Sequence, residues 1–367
     1  MKQIYALIVM LMMASVAFTG CVSDDVDDTE DTTEEVDPVG SESVSTLDTI
    51  IERGSLKCGV KDSQYGMGYL QADGTYTGLD IEYCKAVAAA IGVDTIEYVL
   101  ATGSNRFELL ASEEIDVLIR TTTWTTSRDA DLNADFAGIN FYDGQGILIN
   151  QDAFAEGTDS ALELDGAKIW VGIGTTTEGN IADYFAVNGM EYEAVNSDDA
   201  ATAKAQFEDG SCDAWTGDMS AMVAQKFGLD TEKVPNSAIM PELLSKEPLA
   251  AATRDNDDDW NDVVTWVWFG MLTAEELEIT SANYADADTT IPAVDRLLNN
   301  NLGLGTEANP LSATWMQSVL AAVGNYEEAY TESFCTYDDS GDCLIDRAGS
   351  LNAPYWDGGL QYAPPMR

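Results

Sequence analysis

The 367-residue chain contains no histidine. That absence removes the side chain that titrates near neutral pH, the commonest metal ligand, and every serine or cysteine mechanism that leans on imidazole. Basic residues are scarce as well: 17 Lys and Arg stand against 65 Asp and Glu, a net charge of −48. Eleven of those acids fall between Val22 and Asp48, a segment without Lys or Arg; setting that segment and Lys2 aside leaves 54 acids against 16 bases, or −38. A body this acidic repels nucleic acid and anionic lipid, so no nucleic-acid partner is expected. It suits a salty medium, where screening removes the self-repulsion. No cysteine or acidic spacing matches a zinc site, and neither a metal nor another cofactor is expected. After the first twenty residues no stretch is long and apolar enough to span a bilayer.

What is present begins with an export signal. Lys2 precedes an apolar core from Ile4 to Phe18, too short and wrongly flanked for a membrane span. Phe18-Thr19-Gly20-Cys21 resembles the lipobox of exported lipoproteins, although Phe18 is bulkier than usual there. Cys21 is then the lipidation site, with an ordinary signal peptide and a secreted product as the alternative. Residues 22–46 are acidic, poor in large apolar groups and punctuated by Pro38 and Gly40. Such a segment cannot bury enough surface to offset its chain entropy and reads as a disordered tether. As a flexible coil it would reach on the order of 25–30 Å.

From Leu47 onward, short apolar runs alternate with helical periodicity, which predicts an α/β architecture with parallel sheets. Ser55–Val60 reads as a strand. Asp80 is expected to cap a helix on which Ile81, Cys84, Ala88 and Ile91 share a face, ended by Gly92. Cys84 therefore points toward the sheet that carries Cys58, and in an exported protein the two read as a disulfide worth about 3–4 kcal/mol. Cys335 and Cys343 bracket an acidic loop and read as a second, local bridge. Cys212 is left over, buried in a strand-like alternation.

One stretch, Ile115 to Asp131, organises the rest. A buried strand, Ile115 to Ile119, ends in Arg120, passes through hydroxyl-rich Thr121 to Ser127, and restarts as a helix with Arg128 in its first turn. Thr126 and Asp129 are spaced as a capping box. A cation is badly placed at a helix N-terminus unless something negative sits there. Hydroxyls, free amides and a guanidinium converging on one point describe a carboxylate receptor. The plainer alternative is an ion pair between Arg128 and Asp129 or Asp131 in solvent. Two further clusters lie at strand ends: Gly174-Thr175-Thr176-Thr177-Glu178, with Thr175 and Glu178 spaced as a capping box, and the strand Cys212 to Asp218, ending in a carboxylate. Ligands of α/β sheets sit at the carboxyl ends of strands, and all three clusters occupy such ends.

With those residues stated, the chain resembles the general L-amino-acid-binding proteins of ABC importers, in the extracellular solute-binding protein family 3. The likeness runs from about Leu47 to Arg367 and includes LKCGV, GLDIEYCKAVAAAI, TTTWTTSRD, DFAGINFYDGQG, ALELDGAKIWVGIGTTTEGN, LLSKEPLA and LNAPYWDGGLQYAPPMR. It implies a type II periplasmic-binding-protein fold, two α/β lobes closing on one amino acid. The implied divisions are signal 1–21, tether 22–46, lobe 1 at 47–146 and 252–367 with a helical C-terminal extension, and lobe 2 at 147–251.

In related receptors an arginine after the hydroxyl turn clamps the ligand α-carboxylate, which lands on Arg128, with Thr121, Thr123, Thr175 and Thr176 around it. The carboxylate that takes the α-ammonium lands on Asp218. The family's partner cysteine for Cys212 falls on the strand occupied here by Trp170, so that bridge is expected to be absent. The family's glycine-rich loop after LKCGV is replaced by Lys61 to Tyr65, which makes Asp62 and Tyr65 candidates for altered selectivity toward polar or cationic side chains, with a merely solvated loop as the alternative. Arg120, Arg106, Trp124, Tyr69 and Tyr142 are further candidates for the side-chain pocket. The resemblance implies an extracytoplasmic monomer that binds L-amino acids and serves an ABC permease without turnover; the lipobox reading of Cys21 adds a lipid anchor on the outer face of the membrane. The alternatives are a dehydratase of arogenate or prephenate on the same fold, and an amino-acid sensor.

Overall fold

The computed structural model describes residues 44–336 and 341–367, so the export signal, Cys21 and most of the tether lie outside the described residues. Ser45 caps the first helix, Thr46–Arg53, and Gly54 ends it in the left-handed conformation.

Two five-stranded sheets follow. In the first, the order is Thr95–Leu100, Ser55–Val60, Val117–Leu118, Glu247–Arg254, Ala134–Asp143. In the second it is Glu193–Ser197, Lys168–Gly172, Ala214–Asp218, Gln145–Asn150, Ser237–Ile239. Each is parallel through its first three strands. Each becomes antiparallel at the strands next to the crossovers, so the sheets are mixed rather than wholly parallel. The reason is topological: a chain that leaves one sheet and returns must run back alongside its own exit. The exit passes Asp143-Gly144-Gln145, and the return strand begins at Glu247, the register partner of Asp143. Gly144 is required here, since a Cβ would sit 2.9 Å from the Ser245 carbonyl oxygen of the returning segment.

Lobe 1 holds the larger core. The helix Leu79–Ile91 is buried on almost every face, and the Tyr83 hydroxyl donates to the Val264 carbonyl of the helix Asp258–Glu276 at 2.7 Å. Trp260, Trp268, Trp315, Tyr326 and Phe334 extend that core into the C-terminal helices. In lobe 2 the strands bury alternate residues on opposite faces: Ile147, Ile149, Ile169 and Val171 meet Ile181 and Phe185, while Leu148, Trp170 and Trp215 meet Phe207 and Met222. The disulfides Cys58–Cys84 and Cys335–Cys343 are both present, and Cys212 is free and buried, its thiol pushed up to about 12 by burial. Among the described residues no helix is long and apolar enough to cross a membrane, and no cluster of Cys, Asp or Glu is arranged to hold a metal ion.

Two local expectations are corrected. The helix that carries Arg128, Thr126–Asp131, is capped by Thr125, which takes the extended conformation and accepts from the Arg128 N–H at 3.3 Å. The box spaced on Thr126 therefore does not form. Asp80 does not cap its helix either; Gly78 holds that position, and the Asp80 carboxylate accepts from the Thr121 N–H at 3.0 Å and from Asn140 at 3.4 Å.

Candidate functional site

The carboxyl ends of both sheets meet across one cleft. Bonds between the lobes close it: Gln64 Nε2 to Ser220 Oγ at 3.0 Å, Gln225 Nε2 to the Ser63 carbonyl at 3.1 Å, Arg106 Nη2 to the Gly174 carbonyl at 3.3 Å, and Ser104 to Asp198. Gly103 rests against the Ile173 carbonyl so closely that a Cβ would come within 2.6 Å of it. The cleft between the lobes holds a partly open cavity of about 240 Å³. That is below the ~300–1,000 Å³ range of sites for drug-sized ligands, and suits a smaller molecule.

Seven residues singled out in the sequence line this cavity: Asp62, Arg120, Thr121, Thr123, Thr175, Thr176 and Asp218. Arg106 lines it too, but Tyr65, Tyr69, Trp124 and Tyr142 do not. Tyr65 instead stacks on Tyr69 at 3.9 Å, with their hydroxyls bonded at 2.8 Å, and meets Phe227 edge-on. Trp124 stacks on Phe136. Arg128 is buried behind the wall: its Nη1 donates to the Thr123 carbonyl at 2.8 Å, and its guanidinium lies 5.6 Å from the Phe107 ring centre. Its charge faces Glu247 and Asp218, and burial lowers its pKa against their pull.

The hydroxyls divide into used and free. Thr175 donates to the Gly172 carbonyl at 2.7 Å and accepts from the Glu178 N–H at 3.3 Å, so its hydroxyl is consumed by the helix cap. Glu178 turns back to the Gly174 N–H rather than to Thr175. Thr123 and Thr176 both donate to Glu247, which also accepts from Asn180 at 2.8 Å and Ser245 at 2.6 Å. For a carboxylate arriving in the cavity these two threonines therefore offer backbone N–H groups rather than hydroxyl protons. Thr121 is different. It is β-branched yet sits at φ 39°, a conformation that costs about 1–3 kcal/mol and collects at functional sites. Asp80 holds it there, and its hydroxyl is buried with no partner.

The charges converge at the inner end. Arg106 and Arg120 are buried, and the Nε of each lacks a hydrogen-bond partner. Burial, then the neighbouring arginines, drives Arg106 well below its usual range; burial brings Arg120 down to about 10 against the pull of Asp218 and Asp80. Lys61 joins them, donating to Gln64 at 2.6 Å. Enclosure and then Arg120 lower its pKa to about 7. Asp218 faces this group with its carboxyl raised by desolvation, which Lys61 opposes. None of these cations forms an ion pair within the chain among the described residues. These three cations share the cavity lining with four carboxylates, Asp62, Asp198, Asp199 and Asp218.

Sequence reasoning did not select Lys61, Asp143 or Glu247. Lys61 stood in the loop noted as unusual, Glu247 in the quoted LLSKEPLA and Asp143 in the quoted DFAGINFYDGQG, so all three lay in segments already noted, but nothing local assigned them a role.

A two-lobed cleft that closes over a cavity with opposite charges from separate halves defines a ligand-enclosing binding protein. The chain belongs to the bacterial extracellular solute-binding proteins, family 3, whose pattern matches residues 56–285. It is 42% identical over 335 residues to the glutamate/glutamine/aspartate/asparagine-binding protein BztA of Rhodobacter capsulatus, covering 89% of this chain and 95% of that one. It is 38% identical over 331 residues to the general L-amino acid-binding periplasmic protein AapJ of Rhizobium johnstonii, covering 89% and 94%. Among solved structures, a periplasmic binding protein of an ABC transporter from Brucella ovis, with glutathione bound, superposes with a TM-score of 0.80 at 40% identity, covering 89% of this chain and all of that one. An ancestral amino acid-binding protein described as a precursor of cyclohexadienyl dehydratase superposes at 0.51 with 25% identity, covering 61% and 91%.

Proposed function

We propose that the chain is the extracytoplasmic receptor of an ABC importer, closing on L-amino acids whose side chain ends in a carboxylate or carboxamide. The observation that carries this reading is the inner end of the cavity, where Arg106, Arg120 and Thr121 each keep a buried donor without a partner. An unmade buried hydrogen bond costs about 1–3 kcal/mol, more for charged groups, so these donors await acceptors from outside the chain.

The roles follow from position. Asp218 takes the α-ammonium. The turn Thr121–Thr123 and the N–H groups at Thr176 take the α-carboxylate, with the charge of Arg128 behind the wall. Arg106, Arg120 and Lys61 take the far end of the side chain. Charge-assisted bonds of ~1.5–3 kcal/mol each would offset the cost of stripping water from a zwitterion and leave roughly −8 kcal/mol, a micromolar site. The Rhodobacter relative is named for the four amino acids with such side chains, and the glutathione in the Brucella structure carries a γ-glutamyl group with the same ammonium and carboxylate. In this reading the receptor is a monomer, anchored by lipid at Cys21 through the acidic segment and serving a membrane permease.

A thermal-shift screen against the twenty L-amino acids tests it. The largest stabilisation is expected from glutamate, glutamine, aspartate and asparagine, and the least from lysine and arginine. The reverse order would remove the assignment. One observation favours a second reading, a dehydratase: the raised carboxyl of Asp218 resembles a poised general acid. Product formation from arogenate or prephenate would support it, and binding of amino acids without turnover would dismiss it.

A further inference from the structure

The helix Met219–Phe227 begins directly after Asp218, a position whose side chain ordinarily turns onto the first-turn N–H groups. Asp218 makes no such bond. The acceptors come from the crossover instead. Asp143, the last residue of the strand Ala134–Asp143, receives the Ser220 N–H on its two carboxylate oxygens at 3.2 and 3.4 Å, and the Gly144 N–H at 2.8 Å. The Met219 N–H goes to the Gly144 carbonyl at 2.7 Å. With the helix start satisfied by its neighbour, the Asp218 carboxylate remains a wall of the cavity.

We propose that Asp143 is a positioning residue for the ligand ammonium: it caps the helix in place of Asp218 and so keeps the Asp218 carboxylate free to meet the ligand. The proposal rests on the reading of Asp218 as the ammonium acceptor. Without Asp143, Asp218 is the nearest carboxylate to the uncapped N–H groups and would fold back onto them, leaving the ammonium unpaired. The two carboxylates also feel each other. Asp143 is half-buried, and enclosure followed by the Asp218 charge holds its carboxyl up to about 7. The other groups around it are Glu247, its register partner, and Tyr330, whose hydroxyl senses its charge; Lys61, Arg106 and Arg120 lie beyond Asp218. A ligand ammonium favours both carboxylates ionised, so binding below neutrality releases a proton and affinity rises with pH toward about 7.

Calorimetric titration of the full chain with L-glutamate across pH 5.5–7.5 tests this. Asp143→Asn keeps the capping oxygen, so affinity at the upper pH is expected within about threefold of the parent, while the rise of affinity with pH flattens. Asp143→Ala removes the cap and is expected to weaken binding by about tenfold or more with an unchanged circular-dichroism spectrum. An Asp143→Ala protein that folds and binds like the parent overturns the proposal. If Asp143→Ala does not fold, Asp143→Asn decides alone: a loss of about tenfold, or an unaltered pH slope, overturns it. Asp218→Asn separates the two readings. If that variant binds normally, the ammonium assignment itself fails; if it abolishes binding while both Asp143 variants are silent, only the positioning role fails.

Discussion

Glu247 ties Thr123 of the first lobe to Thr176 of the second, accepting a hydroxyl proton from each, although the two threonines stand on strand-to-helix turns of different sheets. The threonine oxygens are 3.4 Å apart, so this carboxylate forms part of the seam on which the lobes close. Asn180 and Ser245 complete its shell. Glu247→Ala would leave buried Thr123 and half-buried Thr176, Asn180 and Ser245 without their acceptor and is expected to destabilise the ligand-free protein by about 2 kcal/mol in urea titration. Glu247→Gln, which keeps an accepting oxygen, is expected to lose less. Equal losses would show that the charge, not the bonding pattern, matters.

Closure depends on small backbone contacts as well as on side chains. Gly103→Ala places a Cβ within 2.6 Å of the Ile173 carbonyl across the cleft. The variant is expected to retain the fold and thermal midpoint of the parent while ligand affinity falls by about tenfold, because the lobes can no longer meet. Calorimetry with small-angle scattering in saturating ligand would show an expanded bound form. An unchanged affinity would mean that this seam is not needed in the bound state.

Lys61 sets a pH dependence of opposite sign to that of Asp143. Its lowered value of about 7 means that in the empty cleft it sheds its proton above neutrality. The unfolded chain still holds that proton up to its ordinary range, so the contribution of this group to stability rises with pH between about 7 and 10.5. An anionic side chain restores the proton on binding, and affinity for L-glutamate is therefore expected to decline from about pH 7 to 9, with proton uptake measured in buffers of different ionisation heat. Lys61→Met should flatten that limb. A flat profile in the parent protein would exclude Lys61 from the ligand's surroundings.

The bridge between Cys58 and Cys84 closes 26 residues of lobe 1, and both residues are fully buried. Replacing the pair by alanine is expected to lower unfolding free energy by about 3–4 kcal/mol in denaturant titration. Ligand affinity should be little changed, since neither residue lines the cavity.

Much of this arrangement was legible along the chain because it is local. The strands Ser55–Val60, Lys168–Gly172 and Ala214–Asp218 are apolar runs ended by polar turns, and position alone carries Thr121 and Asp218 to the cleft. Thr125 rather than Thr126 became the cap because neighbouring hydroxyls offer the same chemistry, and only backbone conformation decides between them. What the chain hid is long-range. Asp143 and Glu247 become partners only when two crossovers lie side by side, and Glu247 then takes the hydroxyl protons that local reading had given to a ligand. Arg128 shows the same limit from the other direction: its turn was identified, but the Thr123 carbonyl, seen only in three dimensions, holds its guanidinium behind the wall.

The central claim is that a cleft with an acid for the ammonium and buried, unpartnered donors on Arg106, Arg120 and Thr121 selects zwitterions bearing a second acceptor. Calorimetric titration of the parent chain and of Arg120→Met with L-glutamate and L-lysine tests it most directly. The expected result is a dissociation constant of about micromolar or tighter for L-glutamate, weakened at least about tenfold by the substitution, with no measurable heat from L-lysine. Tighter binding of L-lysine than of L-glutamate, or indifference of L-glutamate binding to the loss of Arg120, would contradict the account.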